Sequence, residues 1–240
     1  RSLDIPVTSG DSYTAALSVQ ATRQAAQLMD IDMVQTTLAI VGGAGAIGAA
    51  AAQLLAPHAG RMLLIGRQRE ALAVVAEKVR RAGCRDVQIS TEIMDVAKAQ
   101  VVVTVTSAGG NLIQPEMLRR GAVVCDVSRP RDVSHHVIQV RDDVLVIDGG
   151  LVRVPGGVDF GFNYGLPPHL TYGCVAETMV LAFEGHFEDY SIGKDLSVEQ
   201  VQEIDALATK HGFELAALRS FEHKLEDALL QKVKARAKAG

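Results

Sequence analysis

Apolar positions along this chain fall into two kinds of pattern. Short apolar runs occupy residues 37–41, 61–66, 101–105, 122–126 and 144–148, with a briefer one at 87–89. Runs of this length, rich in Val, Ile and Leu, predict strands buried on both faces. Between them the apolar residues recur at helical spacing. Ala15, Leu17, Ala21, Ala25 and Leu28 precede the first run, residues 46–55 follow it, and Leu72, Val75, Ala76 and Val79 mark a helix over 69–82. Strands alternating with helices imply right-handed crossovers and a parallel sheet. The first helix is expected to open at a cap on Asp11 or Ser12, behind an extended lead-in over residues 1–10.

After Gly150 the alternation stops. Residues 151–171 are rich in Gly and Pro and read as an irregular loop, and three helices are predicted at 174–185, 197–211 and 214–236. No internal repeat or low-complexity tract breaks this layout.

Composition narrows the possibilities. The 240 residues are 48% hydrophobic but only 4% aromatic and contain no Trp, so the core is built from small aliphatic side chains. That suits helices laid over a parallel sheet. A formal net charge of −4 argues against a general nucleic-acid binder, which would carry a basic footprint. No apolar run reaches the roughly 18 residues of a membrane span, and the start lacks the basic-then-apolar pattern of a secretory signal. Three cysteines do not make a disulfide framework, and a reducing cytoplasmic setting is expected. The chain opens on Arg1 rather than Met, as a piece of a longer protein would.

The sharpest local signal is Val41-Gly42-Gly43-Ala44-Gly45-Ala46-Ile47-Gly48, between a predicted strand and a predicted helix. Gly42, Gly45 and Gly48 fit one glycine-rich spacing, and Gly43, Gly45 and Gly48 fit G-x-G-x-x-G. Missing side chains let the backbone turn tightly and let a pyrophosphate approach the helix N-terminus, where free N–H groups and the helix dipole stabilise it. A tight turn that binds nothing is the plain alternative, but strand, turn, helix and next strand all arrive on schedule. The expected architecture is therefore α/β: a Rossmann-like doubly wound parallel sheet with an N-terminal helix and C-terminal helices. Its expected parts are a lead-in and helix (1–34), a dinucleotide-binding domain (35–171) and a helical segment (172–240).

The end of the second strand bears on the choice of cofactor. NAD-binding domains usually place an acidic residue there to hold the ribose hydroxyls. This chain has Gly66-Arg67-Gln68-Arg69, with no carboxylate to repel a 2′-phosphate and with Arg67 and Arg69 able to pair with one. NADPH is the expected cofactor, against the plainer reading of two solvated loop cations.

Cys84 follows a helix-ending glycine and Cys125 sits within an apolar strand, so both read as packing residues. Cys174 opens a predicted helix, where the dipole favours a thiolate. Glu177, one turn later, reads as a complement to the helix N-terminus rather than a base. His169 and Tyr172, in the loop just before the cysteine, are candidate proton donors. The pair His135-His136 has too few companion ligands for a metal site. His186 and His211 fall at helix ends, where histidine often caps carbonyls.

Taken together these residues resemble the cyanobacterial long-chain acyl-[acyl-carrier-protein] reductases, NADPH enzymes that make fatty aldehydes. The likeness runs from Thr8-Ser9-Gly10-Asp11-Ser12-Tyr13-Thr14-Ala15 through the glycine turn. It is more specific in Gly173-Cys174-Val175-Ala176-Glu177-Thr178-Met179-Val180-Leu181-Ala182-Phe183-Glu184-Gly185-His186, continuing into Ser191-Ile192-Gly193-Lys194 and Lys210-His211-Gly212-Phe213. The nucleotide-binding half also resembles the group containing shikimate dehydrogenase and glutamyl-tRNA reductase. The reductase resemblance implies that Cys174 takes up an acyl group as a thioester from an acyl carrier protein or acyl-CoA. It also implies an N-terminal acyl-binding domain, for which this chain has no counterpart. Asp126-Val127-Ser128-Arg129-Pro130 departs from the Gly-Gly turn usual in that family, and the C-terminal end has no counterpart that can be placed.

Two other functions fit the same fold. One is an NADP-dependent dehydrogenase of a small alcohol or ketone, although the Lys–Asp pair and separate domain of the shikimate group are not evident. The other is a non-catalytic nucleotide-binding module of a larger protein, with the cationic tail Lys232, Lys234, Arg236 and Lys238 as a docking element or simply a solvated helix end.

Overall fold

The computed structural model describes residues 5–162, 165–193 and 195–239. Lys194 and the first four residues of the lead-in lie outside the described residues. Six parallel strands form the central sheet: β1 (Thr37–Val41), β2 (Arg61–Ile65), β3 (Asp86–Ser90), β4 (Val101–Thr104), β5 (Val123–Asp126) and β6 (Leu145–Asp148). Their order is β3-β2-β1-β4-β5-β6, so the direction of winding reverses between β1 and β4. Ligands of such sheets bind outside the carboxyl ends of the strands at that reversal.

Alternation along each strand decides what covers each face. Leu38, Ile40, Met62, Leu64, Val101, Val103, Val123, Cys125, Leu145 and Ile147 point to one side, into a cluster with α1 (Asp11–Leu28), α2 (Ala46–Leu55) and α3 (Arg69–Arg81). The intervening residues, among them Ala39, Leu63, Val102, Val124 and Val146, meet short 3-10 segments and α4 (His135–Val140) on the other side. The sequence pattern did not reveal α4, which is only six residues long.

Three expectations need correction. The cap of α1 is neither Asp11 nor Ser12 but Gly10, in the left-handed region at φ 76° and with no side-chain cap. Residues 151–171 are not wholly irregular. They contain β7 (Leu151–Arg153) and β8 (Leu170–Tyr172), antiparallel to each other and extended by β9 (Glu214–Leu215). After α5 (Gly173–Phe183) and α6 (Val198–Lys210), the predicted helix over 214–236 is broken. It contains β9, then the hairpin β10 (Arg219–Ser220) and β11 (His223–Lys224), and only Asp227–Lys238 is helical, as α7. Glu214 and Leu215 pair with Arg153 and Val152 at the edge of β7, and this pairing overrode the helical spacing.

The cationic tail is also neither free nor merely solvated. Lys234 and Lys238 pair with Asp30, and Lys232 and Arg236 with Asp142. Together with the buried Leu230 and Val233, these contacts dock α7 onto the sheet's cover.

Helix α1 is buried on two sides. Val19, Ala25, Ala26 and Met29 belong to the sheet cluster, while Tyr13, Ala15, Ala16 and Leu17 pack with Ala50 of α2, Ala176 and Val180 of α5, and Val201 and Ile204 of α6. Leu17 is wholly buried at that junction. Leu17→Ala is expected to lower the unfolding free energy by about 2–5 kcal/mol, read from the urea midpoint, because a cavity there adds to the lost transfer term.

Candidate active site

The glycine turn stands at the reversal point. Gly42 follows β1 at φ 86°, and a Cβ on it would come 2.2 Å from the Val105 carbonyl oxygen, just after β4. A Cβ on Gly48 would come 2.4 Å from the Gly42 carbonyl oxygen. The N–H groups of Gly42 and Gly43 both donate to Ile65 O, at 2.9 and 3.2 Å, which ties the turn to the end of β2. Gly45 is exposed and caps α2 without a side-chain hydrogen bond. The first-turn N–H groups of Ala46, Ile47 and Gly48 have no helical acceptor, and Ala44 is half-buried beside them. This cradle of backbone donors at a helix N-terminus fits the pyrophosphate of a dinucleotide. Arg67 and Arg69, after β2, are exposed and make no ion pair among the described residues.

Next to the turn, the ends of β4 and β5 are locked by two buried carboxylates. Asp132 accepts from the Thr104 hydroxyl (2.5 Å), the Thr106 hydroxyl (2.7 Å), the Thr106 N–H (3.1 Å) and the Ser128 hydroxyl (2.5 Å). Asp126 accepts from the N–H groups of Ser128 (3.0 Å) and Val133 (2.9 Å). Burial pushes the Asp126 carboxyl up to about 6, with Asp132 adding to the rise and the two N–H groups and Arg129 opposing it. Sequence reading missed both residues, because no spacing rule marks an acid that braces a loop.

Cys174 lies on the same edge. Its helix is attached at the end of β6, where the Gly173 N–H donates to Gly150 O at 2.8 Å. Cys174 is exposed, whereas Cys84 and Cys125 are buried. On its inner side it meets Gly10, where a Cβ would stand 2.1 Å from Cys174 Cα. Glu177 is fully buried and serves a different helix from the one expected. It accepts from the Tyr13 N–H at 2.8 Å, in the first turn of α1, and from the Thr8 hydroxyl. Burial pushes its carboxyl up. Ser191 completes this packing, bonded to the hydroxyls of Ser9 and Ser12.

The free chain does not favour the thiolate. Burial pushes the Cys174 thiol up, Glu177 and Asp11 add to this, and the N–H groups of Val175 and Cys174 only partly offset it. The helix-dipole expectation named a real contribution, but desolvation and two neighbouring carboxylates outweigh it. Of the predicted proton donors, Tyr172 caps α5 and its ring lies under the Arg129 guanidinium, 5.7 Å away. His169 stands beyond the other end of β8, exposed, with Nδ1 3.0 Å from Val158 O. About 13 Å of extended chain separates it from Gly173. The structure brings Asp11 and Glu177 towards Cys174 instead.

A family model described as shikimate / quinate 5-dehydrogenase matches residues 23–148. The chain belongs to this family. The match ends on the last residue of β6, so it includes the glycine turn and both bracing carboxylates and stops short of Cys174. Two curated relatives extend past that point. The aminotransferase PigE of a Serratia species is 36% identical over 231 residues, covering 92% of this chain and 26% of that protein. The long-chain acyl-[acyl-carrier-protein] reductase of Synechococcus elongatus is 27% identical over 219 residues, covering 88% of this chain and 62% of that protein. The chain thus spans about a quarter of the one and less than two thirds of the other. Among solved structures, the glutamyl-tRNA reductase from Methanopyrus kandleri aligns over 92% of this chain and 43% of its own, at 17% identity and a TM-score of 0.46.

The shikimate / quinate dehydrogenase-type sheet carries a pH signature. An Asp held above its ordinary 3.8 is favoured in the fold as the acid, so its contribution is complete below about pH 4 and lost as pH rises through about 6. At about 1.4 kcal/mol per pH unit the swing is about 3 kcal/mol. Asp126→Asn should remove this dependence. Relative to wild type, its unfolding free energy in urea should improve by about that amount between about pH 4 and about pH 7.

Proposed function

We propose that this chain is an NADPH-dependent oxidoreductase that reduces an acyl thioester to an aldehyde through an acyl group carried on Cys174. The observation that carries this reading is the exposed cysteine in the first turn of α5, set over the carboxyl edge of a dinucleotide-binding sheet. In this reading Cys174 attacks the thioester of an acyl carrier protein or of coenzyme A and becomes acylated. N–H groups in the first turn of α5 face the developing oxyanion. The backbone of Gly42, Gly43, Ala44, Gly45, Ala46, Ile47 and Gly48 holds the pyrophosphate, and Arg67, with Arg69 beside it, receives the 2′-phosphate. Bound NADPH supplies the hydride equivalent that takes the acyl group to the aldehyde level.

The Synechococcus relative is named for reduction of a long-chain acyl-[acyl-carrier-protein], and its similarity reaches across Cys174. The name of the Serratia relative fits the product side, since an aldehyde carbonyl is the kind of group onto which an aminotransferase delivers nitrogen. Tyr172 stays within the proposed site as a polar neighbour of the reacting carbonyl. His169 has no part in it, given its place beyond the far end of β8.

Incubation with palmitoyl-coenzyme A or a palmitoyl-loaded carrier protein, without NADPH, should give an acyl adduct on the Cys174 peptide by mass spectrometry. Addition of NADPH should discharge it as an aldehyde, and Cys174→Ala should give neither. A chain that binds NADPH but takes no acyl group from either donor would overturn the proposal. Arg67→Ala should raise the Kd for NADPH about 10-fold, as expected for one lost charge-assisted hydrogen bond, and leave NADH unchanged.

A further inference from the structure

Two helix N-termini meet at Cys174. One is that of α5, which carries the cysteine, and the other is that of α1, whose cap Gly10 is stacked on it. A Cβ on Gly10 would come 2.1 Å from the Cα and 2.2 Å from the Cβ of Cys174. The next residue, Asp11, therefore opens α1 one residue from this contact, near enough for its charge to act on the thiol.

Two carboxylates act on this thiol through their charge, and they differ in freedom. Glu177 is fully buried and committed to the Tyr13 N–H and the Thr8 hydroxyl, so it holds α1 in place. Asp11 is half-buried, with the Ser9 hydroxyl as its hydrogen-bonding neighbour, and burial pushes its carboxyl up. The nearby thiol is protonated in the free chain, so an attack by sulfur needs somewhere for that proton to go.

We infer that Asp11 is the proton acceptor for Cys174 during acyl transfer and the proton donor to the departing thiol. This rests on the acyl-enzyme reading above. In the step, the Sγ proton passes to the Asp11 carboxylate while Sγ bonds to the thioester carbonyl carbon. The bond from that carbon to the donor's sulfur breaks, its electron pair leaves on that sulfur, and the proton returns to it from Asp11. Nothing is oxidised or reduced, and the carboxylate ends as it began. A hydrogen bond of this kind commonly tightens only in the substrate complex.

The test compares two reactions of the same thiol in the full chain, at one pH near neutrality. Acylation by palmitoyl-coenzyme A without NADPH is followed by release of the coenzyme A thiol, and alkylation by iodoacetamide is followed by mass spectrometry. Asp11→Asn should slow acylation about 100-fold, the usual scale of a lost general base. It should leave alkylation unchanged or faster, because removing a neighbouring negative charge favours the thiolate. Asp11→Glu should recover part of the acylation rate. The inference is overturned if Asp11→Asn acylates at the wild-type rate, or if acylation and alkylation slow together, which would mark a structural role. If the wild-type chain forms no acyl adduct at all, the acyl-enzyme reading fails first and this step falls with it.

Discussion

The contact between Gly10 and Cys174 is the constraint on which the site depends. It brings the backbones of α1 and α5 so close that no side chain fits between them, and it requires the left-handed conformation that glycine adopts without penalty. Once it is made, Glu177 reaches the open N-terminus of α1 and supplies the cap that Gly10 cannot. A buried carboxylate is costly unless its partners are in place, so the contact and the cap support each other. Cys174 is held at the edge of the sheet by a helix pinned from below, while its outer side stays open.

The same edge collects the other polar groups of the fold. Asp132 ties Thr104 and Thr106 to Ser128, and the Val105 carbonyl between those threonines presses on Gly42. The phosphate-binding turn is thus braced from the β4 loop, and that loop from the β5 loop. Asp148 continues the row by accepting from Arg131 at 3.0 Å and from the Glu222 N–H at 2.8 Å. These acids lie where strands end and backbone donors are unpaired, so burial is compensated by hydrogen bonds rather than by water.

The family match and the cysteine divide the chain's identity. Residues 23–148 carry the dehydrogenase-type sheet, while Cys174, Glu177 and Asp11 lie outside the matched stretch. Thr8 to Tyr13 and Gly173 to Ser191 are far apart in sequence yet form one packed unit through Glu177 and Ser191. A function carried by such a unit would not follow from the sheet alone.

Sequence by itself determined the six strands, the helices α2 and α3 that follow β1 and β2, and the glycine turn, because each is set by local periodicity and by steric demands within a few residues. It also singled out Cys174 among three cysteines, from its place at the start of a helix. It misjudged the 151–171 and 214–236 stretches, where β7 pairs with β8 and, across more than sixty residues, with β9, and edge hydrogen bonds override local propensity. Only the tertiary structure decided the surroundings of the cysteine. Asp11 and Glu177 stand in plain view in the sequence, but no spacing links residue 11 to residue 174. Burial, which raises both carboxyls and the thiol, is a property of the packed core and not of any segment.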